Sequence, residues 1–401
     1  MYIAREAEPA FRRLLSQYKV VLVTGSRQVG KTTMIRHCLG DSYGYVTLDD
    51  PVALVQAKTD PALFFQDHPL PVIIDEVQYA PELFRYVKLL VDASDVRSQV
   101  VLTGSQSYHL MQGVSESLAG RVGILELPGI SLREELGTAG RGAYVPGKSE
   151  LASVGQPDDL WERIWRGSMP EVVTGRIEWA TYYANYEKTY LERDVRDLIN
   201  VRDMSAFYRF LVATAARTGQ LMNMSDIAND AGISAKTVDR WLSVLEASGV
   251  ILKLRPYFPN ASSRVSKTPK IHFMDTGLAA HLLGWVTPEV LSRGAMAGAM
   301  FESYVVGEIA KAHMNSGQGT EGLYFYRDSR KREIDLLVMD GRTAHPIEVK
   351  AGASPAAGDV KNFIALDSLK GVEVGEGAVV CRAERVYSIT RKVKATPIWK
   401  V

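Results

Sequence analysis

The chain has 401 residues, 46% hydrophobic and 23% charged, a length that exceeds one ordinary core and implies two to four domains of a soluble globular protein. Its 47 basic and 46 acidic side chains leave a net charge of +1, which excludes a globally basic nucleic-acid binder and leaves only local patches. Two cysteines, Cys38 and Cys381, exclude a disulfide framework and a Cys-based zinc site, and no apolar run is long enough to span a membrane.

The opening segment MYIAREAEPAFRRLL carries charges throughout and lacks the apolar core of a signal peptide, so a cytoplasmic location is expected. Val20 to Thr24 is a short β-branched run that reads as a buried strand. It leads into Gly25-Ser26-Arg27-Gln28-Val29-Gly30-Lys31-Thr32-Thr33, the P-loop pattern, followed by a helix. The two glycines let the backbone curl so that its N–H groups face phosphate oxygens. Lys31 brings a cation to the β/γ-phosphates, Thr32 offers a hydroxyl to Mg²⁺, and the helix N-terminus adds partial positive charge. ATP and Mg²⁺ are therefore the expected ligands.

GYVTL ends in Asp49-Asp50-Pro51, where either carboxylate could face the nucleotide, though turn chemistry is the favoured reading. A second buried strand, Val72 to Ile74, ends in Asp75-Glu76, where Asp75 can hold the Mg²⁺ water shell and Glu76 can orient or deprotonate an attacking water. A third, Val100 to Thr103, leads to Ser105 and Gln106, which either sense the γ-phosphate or make a simple turn. Arg121 precedes a further strand, either as an arginine finger for a neighbouring subunit or as a surface residue capping the strand. Strands alternating with helices predict a doubly wound, parallel α/β sheet over residues 1–136.

Residues 137–160 are rich in Gly, Ser and Pro and read as a linker, followed by helical sequence to about residue 200. Its stripe of Tyr183, Tyr186, Tyr190, Leu191, Val195 and Leu198 has core spacing. Within 201–290, a helix over 225–231 precedes Gly232-Ile233-Ser234, and Ser234 is a fair N-cap for a second helix ending near Gly249. Ala228, Ile233, Val238, Trp241 and Leu245 would pack between the two, and the β-rich segments after them would form a wing. In a winged helix the second helix would present Lys236, Thr237 and Arg240 to DNA, and Arg264, Lys267 and Lys270 would bind phosphates. A protein-interaction role is the alternative, because Asp239 and Glu246 dilute the charge.

In residues 291–401 an amphipathic helix precedes a hairpin signalled by Asp340-Gly341. An even-length loop puts Asp335, Glu348 and Lys350 on one face. A two-residue loop makes the two carboxylates diagonal neighbours, and a four-residue loop makes them opposite. A second Mg²⁺ or a Mn²⁺ between them, with Glu302 or Glu308 as a further ligand and Lys350 orienting water, would make a nuclease site. The bland reading is an amphipathic hairpin with solvated charges.

TGSRQVGKTT, VIIDEVQ, LTGSQ, SLAGR, YLERDV, PKIHFMDTGLAAHLLG, FESYVV and REIDLLV…PIEVKAG occur in this order along nearly the whole chain. In this the chain resembles the prokaryotic AAA-type ATPases with a C-terminal DUF4143 domain. The resemblance implies an ATPase core, a winged helix and a C-terminal fold similar to the PD-(D/E)xK nucleases. It puts the phosphate loop at Gly25 to Thr33, the Mg²⁺ and water carboxylates at Asp75 and Glu76, the Gly-Arg arginine at Arg121 and the nuclease signature at Asp335, Glu348 and Lys350. The expectation is a Mg²⁺-dependent ATPase that engages DNA as a homo-oligomer; the alternatives are an ATP-driven protein-interaction switch and an ATP-regulated endonuclease.

Overall fold

The structure, a computed structural model, describes residues 2–104, 114, 117–138, 142–149, 157, 159–191, 203–258 and 268–401. The first sheet contains β1 (Val20–Thr24), β2 (Gly44–Thr47), β3 (Val72–Asp75), β4 (Val100–Thr103) and β5 (Val122–Glu126), in the order β2-β3-β4-β1-β5. All its pairs are parallel. The period of two sends alternate residues to opposite faces. Val21, Val23, Ile73 and Val101 join the core shared with the rest of the chain. Val20, Leu22, Ile74 and Leu102 join a second core under the helices Pro51–Thr59, Pro61–Asp67 and Leu83–Asp92. A sheet covered on both faces explains why these strands are apolar throughout. Because the strands are parallel, the ends of β1 and β3 share one edge, which brings the P-loop beside Asp75.

The helices Met204–Ala215, Met224–Ala231 and Ala235–Ala247 follow. Asn223 caps the second, and the Ser234 hydroxyl accepts from Thr237 N–H at the start of the third. Val238, Trp241, Leu242 and Leu245 are buried at helical spacing. Phe207 and Phe210 each meet the Trp241 ring edge-on at 5.2 Å.

Strands β6 (Gln220–Leu221), β7 (Ile251–Pro256) and β8 (Lys270–Phe273) form an antiparallel set on this helical unit. The free edge of β7 pairs in parallel with β9 (Leu323–Arg327). One mixed sheet therefore continues through β10 (Glu333–Asp340), β11 (Thr343–Val349), β12 (Glu373–Val374), β13 (Gly377–Cys381), β14 (Tyr387–Ser388) and β15 (Val393–Pro397). This shared sheet crosses the boundary at residue 290 that the sequence predicts between two separate domains. The β10–β11 pairing runs from Leu336 opposite Ile347 to Asp340 opposite Thr343. The turn is thus the two-residue Gly341-Arg342, one residue later than an Asp340-Gly341 turn, so continuing the register puts Asp335 opposite Glu348, the placement expected only of a four-residue loop.

Helix Ala297–Asn315, expected from the sequence to be amphipathic, is instead buried along nearly its whole length, its polar positions included. Its polar side chains are used as ties. Glu308 accepts the Leu132 N–H at 2.7 Å, and Lys311 donates to the Ile130 carbonyl at 3.0 Å and to Glu308 at 2.7 Å.

Candidate functional site

The P-loop wraps a cavity of about 600 Å³ lined by Arg27 to Thr33, Asp49 and Glu76, together with Tyr2, Ile3, Glu171 and Arg176. Gly25 has φ +143°, and a Cβ there would meet the Leu127 carbonyl oxygen at 2.1 Å. Only glycine fits the start of this loop. Lys31 lies at the N-terminus of helix Lys31–Leu39 and donates to the Gly25 and Ser26 carbonyls at 3.1 and 2.8 Å. Burial lowers its pKa to about 8 against the opposing pull of Glu76 and Asp75.

The Thr32 hydroxyl donates to Asp75 Oδ2 at 2.9 Å, and Tyr45 donates to the same oxygen at 2.9 Å. A hydroxyl and a carboxylate converging at the end of β3, beside a cradle that admits no Cβ, fit the donor set of a Mg²⁺–nucleotide site. Glu76 follows in the left-handed region at φ +56°, a conformation that a non-glycine residue adopts at a cost and that turns its side chain into the cavity lining. Gln78 hydrogen-bonds its carboxylate, and burial raises its pKa.

Sequence reasoning missed the supports of this site. Buried Arg5 donates to the Val29 carbonyl at 2.7 Å and the Pro128 carbonyl at 2.7 Å, and pairs with Glu134 at 3.0 Å. It thereby clamps the P-loop to the segment after β5. The one local signal was the capping box of Ser131 and Glu134. Tyr45 and Gln78 were equally unmarked. Asp50 caps helix Pro51–Thr59, as the turn reading expects, while Asp49 lines the cavity.

The P-loop also touches the helical unit. Ser26 Oγ donates to the Ser248 carbonyl at 2.8 Å. The next residue, Gly249, has φ +69°, and a Cβ on it would lie 2.9 Å from Ser26 Oγ.

Arg121 sits at the N-terminal end of β5, about 16 Å of strand away from the P-loop edge. It is paired with Asp92 at 2.6 and 2.9 Å. It therefore does not serve its own chain's nucleotide cavity. Ser105 and Gln106 lie outside the described residues, as do Arg264 and Lys267. Lys236 and Arg240 are exposed on helix Ala235–Ala247, and Thr237 is half-buried.

Lys270 requires a correction. It is not a surface phosphate contact: its side chain is 3% exposed and its ammonium lies 2.9 Å from Glu302, 2.7 Å from Glu333 and 3.6 Å from Asp335. Burial pulls its pKa down, but these carboxylates more than offset that and raise it. Lys350 pairs with Glu348 at 2.8 Å, and Asp335 Oδ2 accepts the Val349 N–H at 2.9 Å. Burial and the Asp335 charge raise the pKa of both Glu302 and Glu348. The structure thus gathers Glu302, Asp335, Glu348 and Lys350, while Glu308 is elsewhere, tied to Lys311. The expected second Mg²⁺ or Mn²⁺ does not fit beside the Lys270 ammonium that Glu302, Glu333 and Asp335 already surround. Strand β8 brings an ammonium into the cluster instead.

Residues 17–136 match the family described as AAA domain, residues 157–289 the domain of unknown function DUF8612, and residues 297–401 the domain of unknown function DUF4143. The chain is 30% identical over 398 residues to "Uncharacterized protein Rv2008c" of Mycobacterium tuberculosis, covering 98% of this chain and 83% of that protein. The same figures hold for "Uncharacterized protein Mb2031c" of Mycobacterium bovis. Among solved structures, the Walker-type ATPase paby2304 of Pyrococcus abyssi is 17% identical, with a TM-score of 0.41 over 69% of this chain and 94% of that chain. The Thermotoga maritima RuvB Holliday junction branch migration motor is 16% identical, with a TM-score of 0.30 over 63% of this chain and 90% of that chain. No helix among the described residues is long and apolar enough to cross a membrane. With its P-loop, the three domain matches and 30% identity to the mycobacterial proteins over nearly its full length, this chain belongs to the family of AAA-type P-loop ATPases that carry DUF8612 and a C-terminal DUF4143 domain.

Proposed function

We propose that the chain is a Mg²⁺-dependent ATP hydrolase that engages DNA as a homo-oligomer through a winged helix, with the DNA contact conditioned by the nucleotide. Gly25 to Thr33 would hold the phosphates, with Lys31 turning from its loop carbonyls toward the β/γ-phosphates. Thr32 and Asp75 would hold Mg²⁺, which supplies charge neutralisation of the phosphate oxygens. Glu76 would take the proton of the attacking water. Lys236, Thr237 and Arg240 would face DNA from the helix Ala235–Ala247.

The observation that carries this reading is the Ser26–Ser248 hydrogen bond. It joins the phosphate loop directly to the C-terminal end of that helix, so a P-loop rearranged around nucleotide alters the helix's seat. The test is DNA binding and ATP turnover across a salt series. Affinity should fall steeply with salt. In the Lys236→Ala, Arg240→Ala double variant the slope should fall by about two, one for each phosphate contact removed. Lys31→Ala should abolish turnover, and full turnover in that variant would refute the hydrolase assignment.

A second reading is an ATP-driven protein-interaction switch. It is favoured by one observation: Lys270, expected to bind phosphate, is buried in ion pairs. Absence of duplex and branched DNA binding at low salt, with ATP turnover intact, would decide for it.

A further inference from the structure

We infer that Lys270 is a built-in counterion that takes the place of a divalent cation in the acidic cluster of the C-terminal domain, so that this cluster joins two parts of the chain rather than binding metal. An ammonium has three donors. Here it faces three carboxylates from two elements: Glu302 on helix Ala297–Asn315 at 2.9 Å, and Glu333 and Asp335 on β10 at 2.7 and 3.6 Å. The ammonium also lies 5.8 Å from the centre of the buried Phe325 ring on β9. Two more cations face the cluster, although the buried Glu348 Oε2 has no hydrogen-bond partner among the described residues. Arg327 pairs with Glu333 at 3.2 Å, and Lys350 pairs with Glu348 at 2.8 Å. Asp335 Oδ2 is held by the Val349 N–H.

Two physical arguments follow. A metal ion needs several oxygens at about 2.0–2.6 Å. Here the carboxylates are spaced around an ammonium at hydrogen-bonding and ion-pair distances. A divalent ion placed among them would also sit beside a buried positive charge, with little solvent to screen the repulsion. Displacing Lys270 instead would leave its ammonium in a protein interior without partners, the costly half of breaking a buried pair.

Lys270 belongs to β8, in the unit of the helices Met224–Ala231 and Ala235–Ala247, whereas its partners belong to the C-terminal domain. The cluster therefore fastens one to the other. Removing the ammonium while keeping the side-chain length exposes a latent divalent site of Glu302, Glu333 and Asp335.

The experiment uses the full chain without nucleotide and Mn²⁺ as the probe, reading bound Mn²⁺ by electron paramagnetic resonance and the melting temperature with and without the ion. Mn²⁺ uptake by the natural chain should be unchanged by Asp335→Asn. Lys270→Met should gain at least about tenfold in Mn²⁺ affinity, as expected when a neighbouring unit charge is removed. It should also melt higher with Mn²⁺, and the Lys270→Met, Asp335→Asn double variant should lose both effects. If the natural chain binds Mn²⁺ and Asp335→Asn abolishes it, or if Lys270→Met gains no site, the inference is overturned. Should Lys270→Met not fold, Lys270→Gln serves the same comparison, and the natural chain against Asp335→Asn is decisive by itself.

Discussion

Ser26 Oγ and the Ser248 carbonyl meet at 2.8 Å, joining the phosphate loop to the helical unit across 222 residues of sequence. The close approach depends on Gly249, whose φ of +69° and missing Cβ leave room for the hydroxyl. Ser26→Ala should cost roughly 0.5–1.5 kcal/mol of stability, the usual worth of one such bond. In the coupled reading, ATP turnover persists while the effect of DNA on turnover shrinks. Turnover measured with and without DNA checks this, and an unchanged DNA effect would remove Ser26 from the coupling.

Glu76 and Lys31 can be separated by their kinetic signatures. Glu76→Gln preserves shape and should retain ATP while lowering kcat by about 10²–10⁴-fold, the usual range for loss of a general base. Filter retention of labelled ATP alongside single-turnover hydrolysis measures both quantities. Poor ATP binding by Glu76→Gln would assign the residue to the binding site instead.

Arg121 stands half-buried at the sheet edge opposite the P-loop, held by Asp92. As a finger acting on a neighbouring subunit, its change to Ala should lower kcat by about 10³-fold without weakening ATP binding. Sedimentation with an ATP analogue should then show an assembly. A monomer with full turnover would rule the finger out.

Arg5 is buried and bridges Val29, Pro128 and Glu134. Arg5→Ala leaves the Glu134 carboxylate without a charge partner in the interior and should cost about 3–5 kcal/mol. Arg5→Lys should restore little, because a single ammonium cannot reproduce the planar fork that reaches both carbonyls and the carboxylate. Denaturant melts of the two variants test this.

His272 is fully buried, with Nδ1 3.2 Å from Ser303 Oγ, and burial, reinforced by nearby Lys270, lowers its pKa to about 3. The unfolded chain takes up this proton near pH 6.5, whereas the folded chain resists until about 3. Between those values the unfolded state binds more protons, so this group's contribution makes stability fall as pH drops from about 6.5 toward 3. His272→Asn should flatten that part of the stability profile. Thermal melts of both proteins across the window supply the comparison, and parallel profiles would refute the assignment.

What the sequence determined is the chemistry whose partners are near in the chain or fixed by strand geometry. The P-loop, the carboxylates closing β3, the cap at Ser234, the turn at Asp49-Asp50 and the shared face of Asp335 and Glu348 are all of this kind. Backbone sterics, a period of two and a helix's unpaired N–H groups act within a few residues, so they leave a readable pattern. Which hairpin register holds was open until the pairing of Asp340 with Thr343 fixed the turn at Gly341-Arg342. Tertiary structure alone decided that Arg5 clamps the P-loop, that Ser26 reaches Ser248, and that β7 joins β9 in one sheet. It also turned Lys270 from a presumed surface phosphate contact into the cation inside the acidic cluster. A lysine reads the same in sequence whether it points to solvent or inward. Its role is set by which distant carboxylates the packing brings within about 3 Å, where charge attraction in a dry interior far exceeds its strength in water.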